Sequence, residues 1–347
     1  MRRLIAPRGD MLPREGNLSN AIPIFKSNAE HGGNRYFSGA SNRQYKETEM
    51  KRIGVVGLGD MGSGMAKNLI RAGYETAGFD LMEPRMKALE DMGGLRANSP
   101  AEVAMGSSAV FVMVLNGNQA KSVILGQDGL CSKLEPGSAV VVTATIKPVE
   151  VREIAASMEG TGIHLIDSPV SGGSAGAQGG TLTMMTSAPD EVFEEFRTVL
   201  EAVGESIHHV GKDPGIGQTV KACLQSLIGS HFTAAFESTV LAAKAGVDAD
   251  VIYNVFSTSG VGCPIGNYAI KNIINGQFEG TGSHINTMHK DLTISLDLAR
   301  ELGVPLFTAS TAMQLFEAGK TKYPSGDNWT VTRISEDIVG SKLRRGK

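Results

Sequence analysis

The residues of this chain whose types and spacing could do chemistry fall in three short stretches. Gly57-Leu58-Gly59-Asp60-Met61-Gly62 follows one apolar run. Asp167-Ser168-Pro169-Val170-Ser171-Gly172-Gly173 closes another, and Gly215-Ile216-Gly217 leads into a helical pattern bearing Lys221. The first has the spacing of a phosphate-binding turn. The second can aim N–H groups and a hydroxyl at a small anion, and the third brings an amine able to move a proton. Together they predict hydride transfer on a small acid.

Residues 52–56, Arg-Ile-Gly-Val-Val, read as a strand buried on both faces. Gly57 then permits a tight turn, Gly59 lets the backbone approach a pyrophosphate, and Gly62 allows close packing of helix on strand. Leu58, Asp60 and Met61 complete this loop. The helix over 61–71 would offer its free N–H groups and positive dipole end to the phosphates. A second strand over 75–79 ends at Asp80, near the offset of a ribose-binding acid. Its carboxylate would accept from a ribose 2′-OH and repel a 2′-phosphate, so NAD is expected over NADP.

In the second stretch Gly172, Gly173, Gly176, Gly179 and Gly180 free the backbone to form an anion nest, and Ser171 adds a hydroxyl. Its place at a strand's C-terminal end is where ligands bind in open α/β sheets. A flexible loop is the plainer alternative; a small carboxylate is the natural guest otherwise. Lys221 sits among Val220, Ala222, Cys223 and Leu224, too apolar a setting for a helix exposed all round. Burial lowers an ammonium pKa towards neutrality and makes it a usable acid or base. Gln225 lies one turn on, placed to orient the amine and a substrate hydroxyl. Lys290 would bring a second cation to the site, with Asp291 a local cap or ion-pair partner. His231, ten residues beyond Lys221, is expected near the same cleft; the other histidines read as structural or surface residues.

These groups need a scaffold, and the chain supplies one. Apolar runs at 109–115, 139–142, 163–166, 181–186 and 207–210 read as further strands. Helical patterns at 83–92, 119–124, 149–158 and 190–203 alternate with them. The fold class is α/β, a Rossmann-type doubly wound sheet over 51–213. Strands cease after Gly211, and residues 214–340 read as an all-helical substrate and oligomerisation domain with helices at 218–245, 249–257, 265–275, 288–302 and 308–318. The first of these helices is apolar all round, which asks for partners beyond one domain and predicts a homodimer at least.

The chain has 347 residues, 41% hydrophobic and 20% charged, with a net charge of −3. That length suffices for two domains. Mild acidity gives no reason to expect nucleic acid or a membrane surface as partner, and no apolar run is long enough for a membrane span. Cys131, Cys223 and Cys263 are too few and scattered for a disulfide framework or metal site, so no metal is expected and a cytoplasmic, reducing location is. They read as small core or pocket residues. Residues 1–49 are polar, lack periodicity and are broken by Pro7, Pro13 and Pro23. Two readings stand open. Several arginines and Arg35-Tyr36-Phe37-Ser38 resemble a mitochondrial presequence, against which Asp10, Glu15 and Glu30 count. Alternatively Lys46-Glu47, as a coded ribosome-binding sequence, would make Met50 the true start, the reading favoured here.

The three stretches resemble those of the β-hydroxyacid dehydrogenase family, which includes 3-hydroxyisobutyrate dehydrogenases and tartronate semialdehyde reductases. The resemblance runs from Lys51 to about Gly340. It implies that Ser171, Gly172 and Gly173 bind the substrate carboxylate and that Lys221 is the general acid/base. Lys290-Asp291-Leu292 matches the family's Lys-Asp-Leu segment. Val114-Leu115-Asn116 and Thr143-Ala144-Thr145 match loops lining the cofactor, so Leu115, Asn116, Thr145 and Lys290 join its site. Gln225 stands where most members have Asn. With 141–145 and Gly229-Ser230-His231 it resembles the L-threonate dehydrogenase subgroup, which oxidises a four-carbon sugar acid at its 2-hydroxyl with NAD. A 3-hydroxyisobutyrate dehydrogenase and a tartronate semialdehyde or glyoxylate-type reductase are the near alternatives. A catalytically inactive nucleotide-binding module, or an imine reductase, is the different class, and both generally go with replacement of the lysine at position 221.

Overall fold

Alternation decides the first half of the fold. The strands β1 (Arg52–Val56), β4 (Ala109–Val112) and β5 (Ala139–Val142) are almost wholly apolar. Ile53, Val55, Ala109, Phe111, Ala139 and Val141 enter one hydrophobic cluster, and Val56, Val110, Val112, Val140 and Val142 enter another on the opposite face. A strand buried on both faces belongs to a parallel sheet covered by helices on each side. The computed structural model describes residues 52–346; both readings of residues 1–49 lie outside the described residues.

The covering helices are α1 (Asp60–Arg71), α2 (Glu83–Asp91), α3 (Pro100–Ala104), α4 (Gly117–Leu125) and α5 (Pro148–Ser157). Strands β2 (Glu75–Phe79), β3 (Leu95–Arg96) and β6 (His164–Asp167) complete a parallel array in the order β3-β2-β1-β4-β5-β6. The order reverses between β1 and β4, whose C-terminal ends therefore flank the crevice where such sheets bind ligands. Beyond β6 the strand direction reverses. Asp167 pairs antiparallel with Ser187 of β8 (Leu182–Ser187), which also pairs with the two-residue β7 (Val170–Ser171) and, in parallel, with β9 (Gly204–Gly211). Helices α6 (Gly173–Gly179) and α7 (Asp190–Glu201) lie between these strands.

From Ile216 onward the described chain has six α-helices, α8 (Ile216–Lys244), α9 (Ala249–Thr258), α10 (Pro264–Asn275), α11 (Ile285–Leu302), α12 (Phe307–Lys322) and α13 (Thr332–Val339), with a 3-10 turn at Asn328–Val331 before the last. Phe232 and Phe236 of α8 pack with Leu292, Phe316 and Trp329 in their core. None of the helices described is long and apolar enough to cross a membrane.

The structure corrects the sequence reading in four places. β4 stops at Val112, not 115, because the chain turns out of the sheet and leaves Leu115 71% exposed. The glycine-rich run after Ser171 is not a loop: residues 173–179 form α6. Its poor intrinsic propensity is overridden by α1, against which it packs so tightly that a Cβ on Gly64 would lie 2.5 Å from the Ala177 carbonyl carbon. The Asn68 amide also donates to the carbonyls of Gly64 and Ala177 at 2.8 and 2.7 Å. Cys223 is exposed on α8, not a core residue. Finally, α3 and α13 are too short to show a helical period.

Candidate active site

The first glycines act by sterics. Gly57 has φ of +90°, and a Cβ there would strike the Met113 carbonyl at 2.2 Å. A Cβ at Gly62 would lie 1.8 Å from the Gly57 oxygen, so α1 can begin only beneath a glycine. Gly59 differs: its nearest obstacle is the Arg85 guanidinium at 3.8 Å, so its open side faces the crevice. The start of α1 keeps unpaired N–H groups there, from Asp60 and Met61, as every helix N-terminus does. Leu58 is buried, and its N–H donates to Asp80 Oδ2 at 2.8 Å. Asp80 Oδ1 accepts from the Met82 N–H at 2.9 Å, and Arg85 Nη1 pairs with the same carboxylate at 3.2 Å. Asp80 thus stands at the end of β2, fixed beside the turn. Leu115 is exposed beyond β4, and Asn116 caps α4 by accepting the Gln119 N–H at 3.0 Å. An open glycine, a free helix N-terminus and an adjacent carboxylate fit a dinucleotide with a ribose 2′-OH.

The second stretch forms a corner between β7 and α6. Ser171 is half-buried, while Gly172 and Gly173 are exposed with φ of +132° and +60°. Nothing lies within 4 Å of a Cβ built on Gly173, so this backbone faces open space. The corner is tied to the first: Gln178 Nε2 donates to Ser63 Oγ at 3.3 Å, and Asn68 holds α6.

The third stretch is the most deeply set. Lys221 lies on α8 with 6% exposure, and burial pushes its pKa down to about 8, opposed by the Asp291 charge and aided by that of Lys290. One turn on, Gln225 Nε2 donates to Asp291 Oδ2 at 2.5 Å. Asp291 is itself buried and pairs with Lys290 Nζ at 2.7 Å; that amine also donates to the Thr145 carbonyl at 2.6 Å. The Lys290 ammonium therefore joins the Thr145 loop to the network that faces Lys221. Asp291 is more than the local partner expected, since it links α11 to α8. His231 does not enter this network: its Nε2 lies 3.1 Å from Cys263 Sγ at the start of α10. Among the described residues no group of three or more His, Cys, Asp or Glu is placed to hold a metal.

Sequence reasoning missed Asp167 and Gln218. Both are wholly buried, and the Asp167 carboxylate accepts from Gly215 N, Gln218 N, Gln218 Nε2 and Ser187 Oγ. Burial raises its pKa to about 6, with those same hydrogen bonds opposing the shift. The polar Gln218 on an apolar helix was the available signal, but its partners lie 51 and more residues away in sequence.

A Rossmann crevice with a dinucleotide turn, an open glycine corner and a deeply buried lysine define a nicotinamide-dependent oxidoreductase. Comparison with known proteins narrows the class. Residues 52–211 match the NAD binding domain of 6-phosphogluconate dehydrogenase, and residues 215–334 match the family described as NAD-binding of NADP-dependent 3-hydroxyisobutyrate dehydrogenase. An L-threonate dehydrogenase of Escherichia coli (strain K12) is 36% identical over 289 residues, 83% of this chain and 95% of its own. An NAD-dependent L-serine dehydrogenase of Pseudomonas aeruginosa is 32% identical over 302 residues, 84% of this chain and all of its own. The crystal structure of a 3-hydroxyisobutyrate dehydrogenase from Salmonella typhimurium superposes with a TM-score of 0.76 at 34% identity, covering 82% of this chain and 99% of that one. The chain belongs to the β-hydroxyacid dehydrogenase family, whose activity is NAD(P)-dependent oxidation or reduction of hydroxy acids.

Proposed function

We propose that the protein oxidises L-threonate, or a similar four-carbon sugar acid, at its 2-hydroxyl with NAD. The observation that carries this reading is the buried Lys221 amine beside a Gln225 that is locked on Asp291. The names of relatives at 36% identity support the substrate. The substrate carboxylate binds Ser171 Oγ and the N–H groups of Gly172 and Gly173. The carbonyl end of Gln225 accepts from a substrate hydroxyl, its amide nitrogen being committed to Asp291. Lys221 Nζ, in its neutral form, takes the proton of the 2-hydroxyl as the C2–H bond breaks. Bound NAD supplies the hydride acceptor at C4. The Asp80 carboxylate selects the free 2′-OH, and Gly57, Leu58, Gly59, Asp60, Met61, Gly62, Leu115, Asn116, Thr145 and Lys290 line the cofactor. Lys290 also screens the carboxylate charge.

In this reading residues 51–213 hold the dinucleotide, residues 214–340 close the substrate site, and the enzyme acts in the cytoplasm. The second part also assembles the protein. Ile216, Val220, Leu227 and Leu241 follow one side of α8, and Leu227 and Leu241 are 67% and 72% exposed. A homodimer at least, or a homotetramer, covers that seam, and light scattering tests it: an active monomer at micromolar concentration contradicts the assembly.

The deciding experiment for substrate is NADH formation with L-threonate, 3-hydroxyisobutyrate, L-serine and glycerate side by side. L-Threonate is expected to lead in kcat/KM by about tenfold or more, the scale one set of hydroxyl contacts supplies. A lead for any of the others overturns the substrate assignment, and NADH binding without turnover on any acid overturns the catalytic reading.

A further inference from the structure

Asp167 and Gln218 have no exposed atoms, yet three parts of the candidate site hang on them. Asp167 Oδ2 accepts from Gly215 N at 2.9 Å, Gln218 N at 3.2 Å and Ser187 Oγ at 3.3 Å; Oδ1 accepts from Gln218 Nε2 at 3.0 Å. The carboxylate thereby satisfies N–H groups at the start of α8 that the helix itself leaves unpaired. The fit is close: a Cβ on Gly217 would lie 2.5 Å from the Met185 oxygen and 2.7 Å from that of Asp167. Gln218 uses both ends of its amide. Oε1 accepts from Ile146 N at 3.1 Å, and Nε2 donates also to the Ala144 carbonyl at 3.0 Å. Thr145, between those two residues, is the carbonyl that Lys290 holds.

Chain positions complete the relationship. Ser171 follows Asp167 by four residues, across a β6–β7 corner. Lys221 follows Gln218 by three, one helical turn. We propose that Asp167 and Gln218 form a positioning node that sets Lys221 against both the Ser171–Gly173 corner and the Thr145 loop. The proposal rests on the reading of Lys221 as the proton-transfer group. Neither side chain reaches the cleft; both act through the backbone they hold. Only an acceptor-only group suits the place of Asp167, because an amide there would turn an NH2 towards converging donors.

The node also has a titration of its own. Asp167 meets Ser187 from β8, Gly215 and Gln218 from α8, and Val142 from β5, none of them titratable. A proton taken up near pH 6 displaces one of the donors and loosens the start of α8. In hydroxy-acid oxidation log kcat then falls with unit slope as protonation of Lys221 sets in, and steepens below about pH 6.

The test compares Asp167→Asn, Gln218→Met and the double variant with the full-length wild type, reading kcat, KM, NADH binding by fluorescence, and the pH profile. Each single variant is expected to lose about 10- to 100-fold in kcat, the scale of a small misplacement of a reacting group. NADH affinity should stay within about twofold in Asp167→Asn, because the Gly57–Gly62 turn is built from other contacts, and in Gln218→Met, which frees the Thr145 loop, it should fall less than kcat does. The double variant should lose no more than the worse single, as members of one network do, and the steepening below pH 6 should vanish with Asp167→Asn. Should Asp167→Asn not fold, Gln218→Met and Ser187→Ala, which keep the carboxylate, carry the same expectations in weaker form. Wild-type kcat in a folded variant, or single losses that multiply in the double, overturns the node. A Lys221→Met enzyme that still turns over would sink the reading of Lys221 instead, and so separates the two failures.

Discussion

Gln225 donates its side-chain amide to the Asp291 carboxylate across 2.5 Å, a buried bond that joins α8 to α11 one turn beyond Lys221. Asp291 also pairs with Lys290, so a helix carrying one amine and a helix carrying another are fixed by the acid between them. Replacing Gln225 with Leu leaves that buried carboxylate short of a donor. Stability should fall by about 1–3 kcal/mol, read by urea unfolding, and KM for the four-carbon acid should rise. An unchanged KM would mean that Gln225 does not meet the substrate.

The lowered pKa of Lys221 makes two statements about pH. If Lys221 takes the hydroxyl proton as proposed, oxidation needs the neutral amine, so kcat should climb with pH and level off above about 8. Stability follows the same sign. The unfolded chain holds this proton more tightly than the folded one, so the protein gains stability as pH rises from about 8 towards 10.5. Below pH 8 the penalty is fully present, about 3 kcal/mol from the size of the shift. Lys221→Met should therefore melt higher than wild type near pH 7, and the difference should shrink towards pH 10. A variant less stable at pH 7 would show that the buried amine earns its place by packing.

Asp80 and Arg85 form a second testable pair. Their ion pair, at 3.2 Å, lies where the guanidinium also borders Gly59. Asp80→Ala should relax the preference for NAD and free Arg85 to meet a 2′-phosphate, raising kcat/KM with NADP. Adding Arg85→Ala should cancel that gain. An unchanged cofactor ratio in Asp80→Ala would mean that another group reads the ribose.

Ser171→Ala should weaken the substrate and not the cofactor, because the hydroxyl belongs to the β7–α6 corner and not to the Gly57–Gly62 turn. The expected change is a higher KM for the acid with NADH affinity intact. A defect confined to NADH binding would contradict the corner's assignment.

The central strands and the dinucleotide turn were legible in the sequence because their causes are local. Val-rich runs have few alternatives to a buried strand, Gly62 is demanded by the carbonyl of Gly57 one turn before it, and Gly57 by its own positive φ. Lys221 was legible through its apolar neighbours. What escaped reading was held by distant partners. Residues 173–179 fold as a helix only because Gly64 and Asn68 receive them. Asp167 opens the stretch that ends in the Ser171–Gly173 corner, and nothing local shows that its side chain turns away to cap α8. Asp291 reads from the sequence as a local cap or ion-pair partner, because Gln225, which reaches it, stands on a different helix.

Lys221 is tested most directly by NADH formation from L-threonate in wild type and in Lys221→Met, with NADH binding measured on both. Wild type should turn over. The variant should bind NADH with the same affinity and lose about 10²- to 10⁴-fold in kcat, the contribution of a positioned acid or base. A variant that binds NADH normally and keeps near-wild-type turnover would contradict the account.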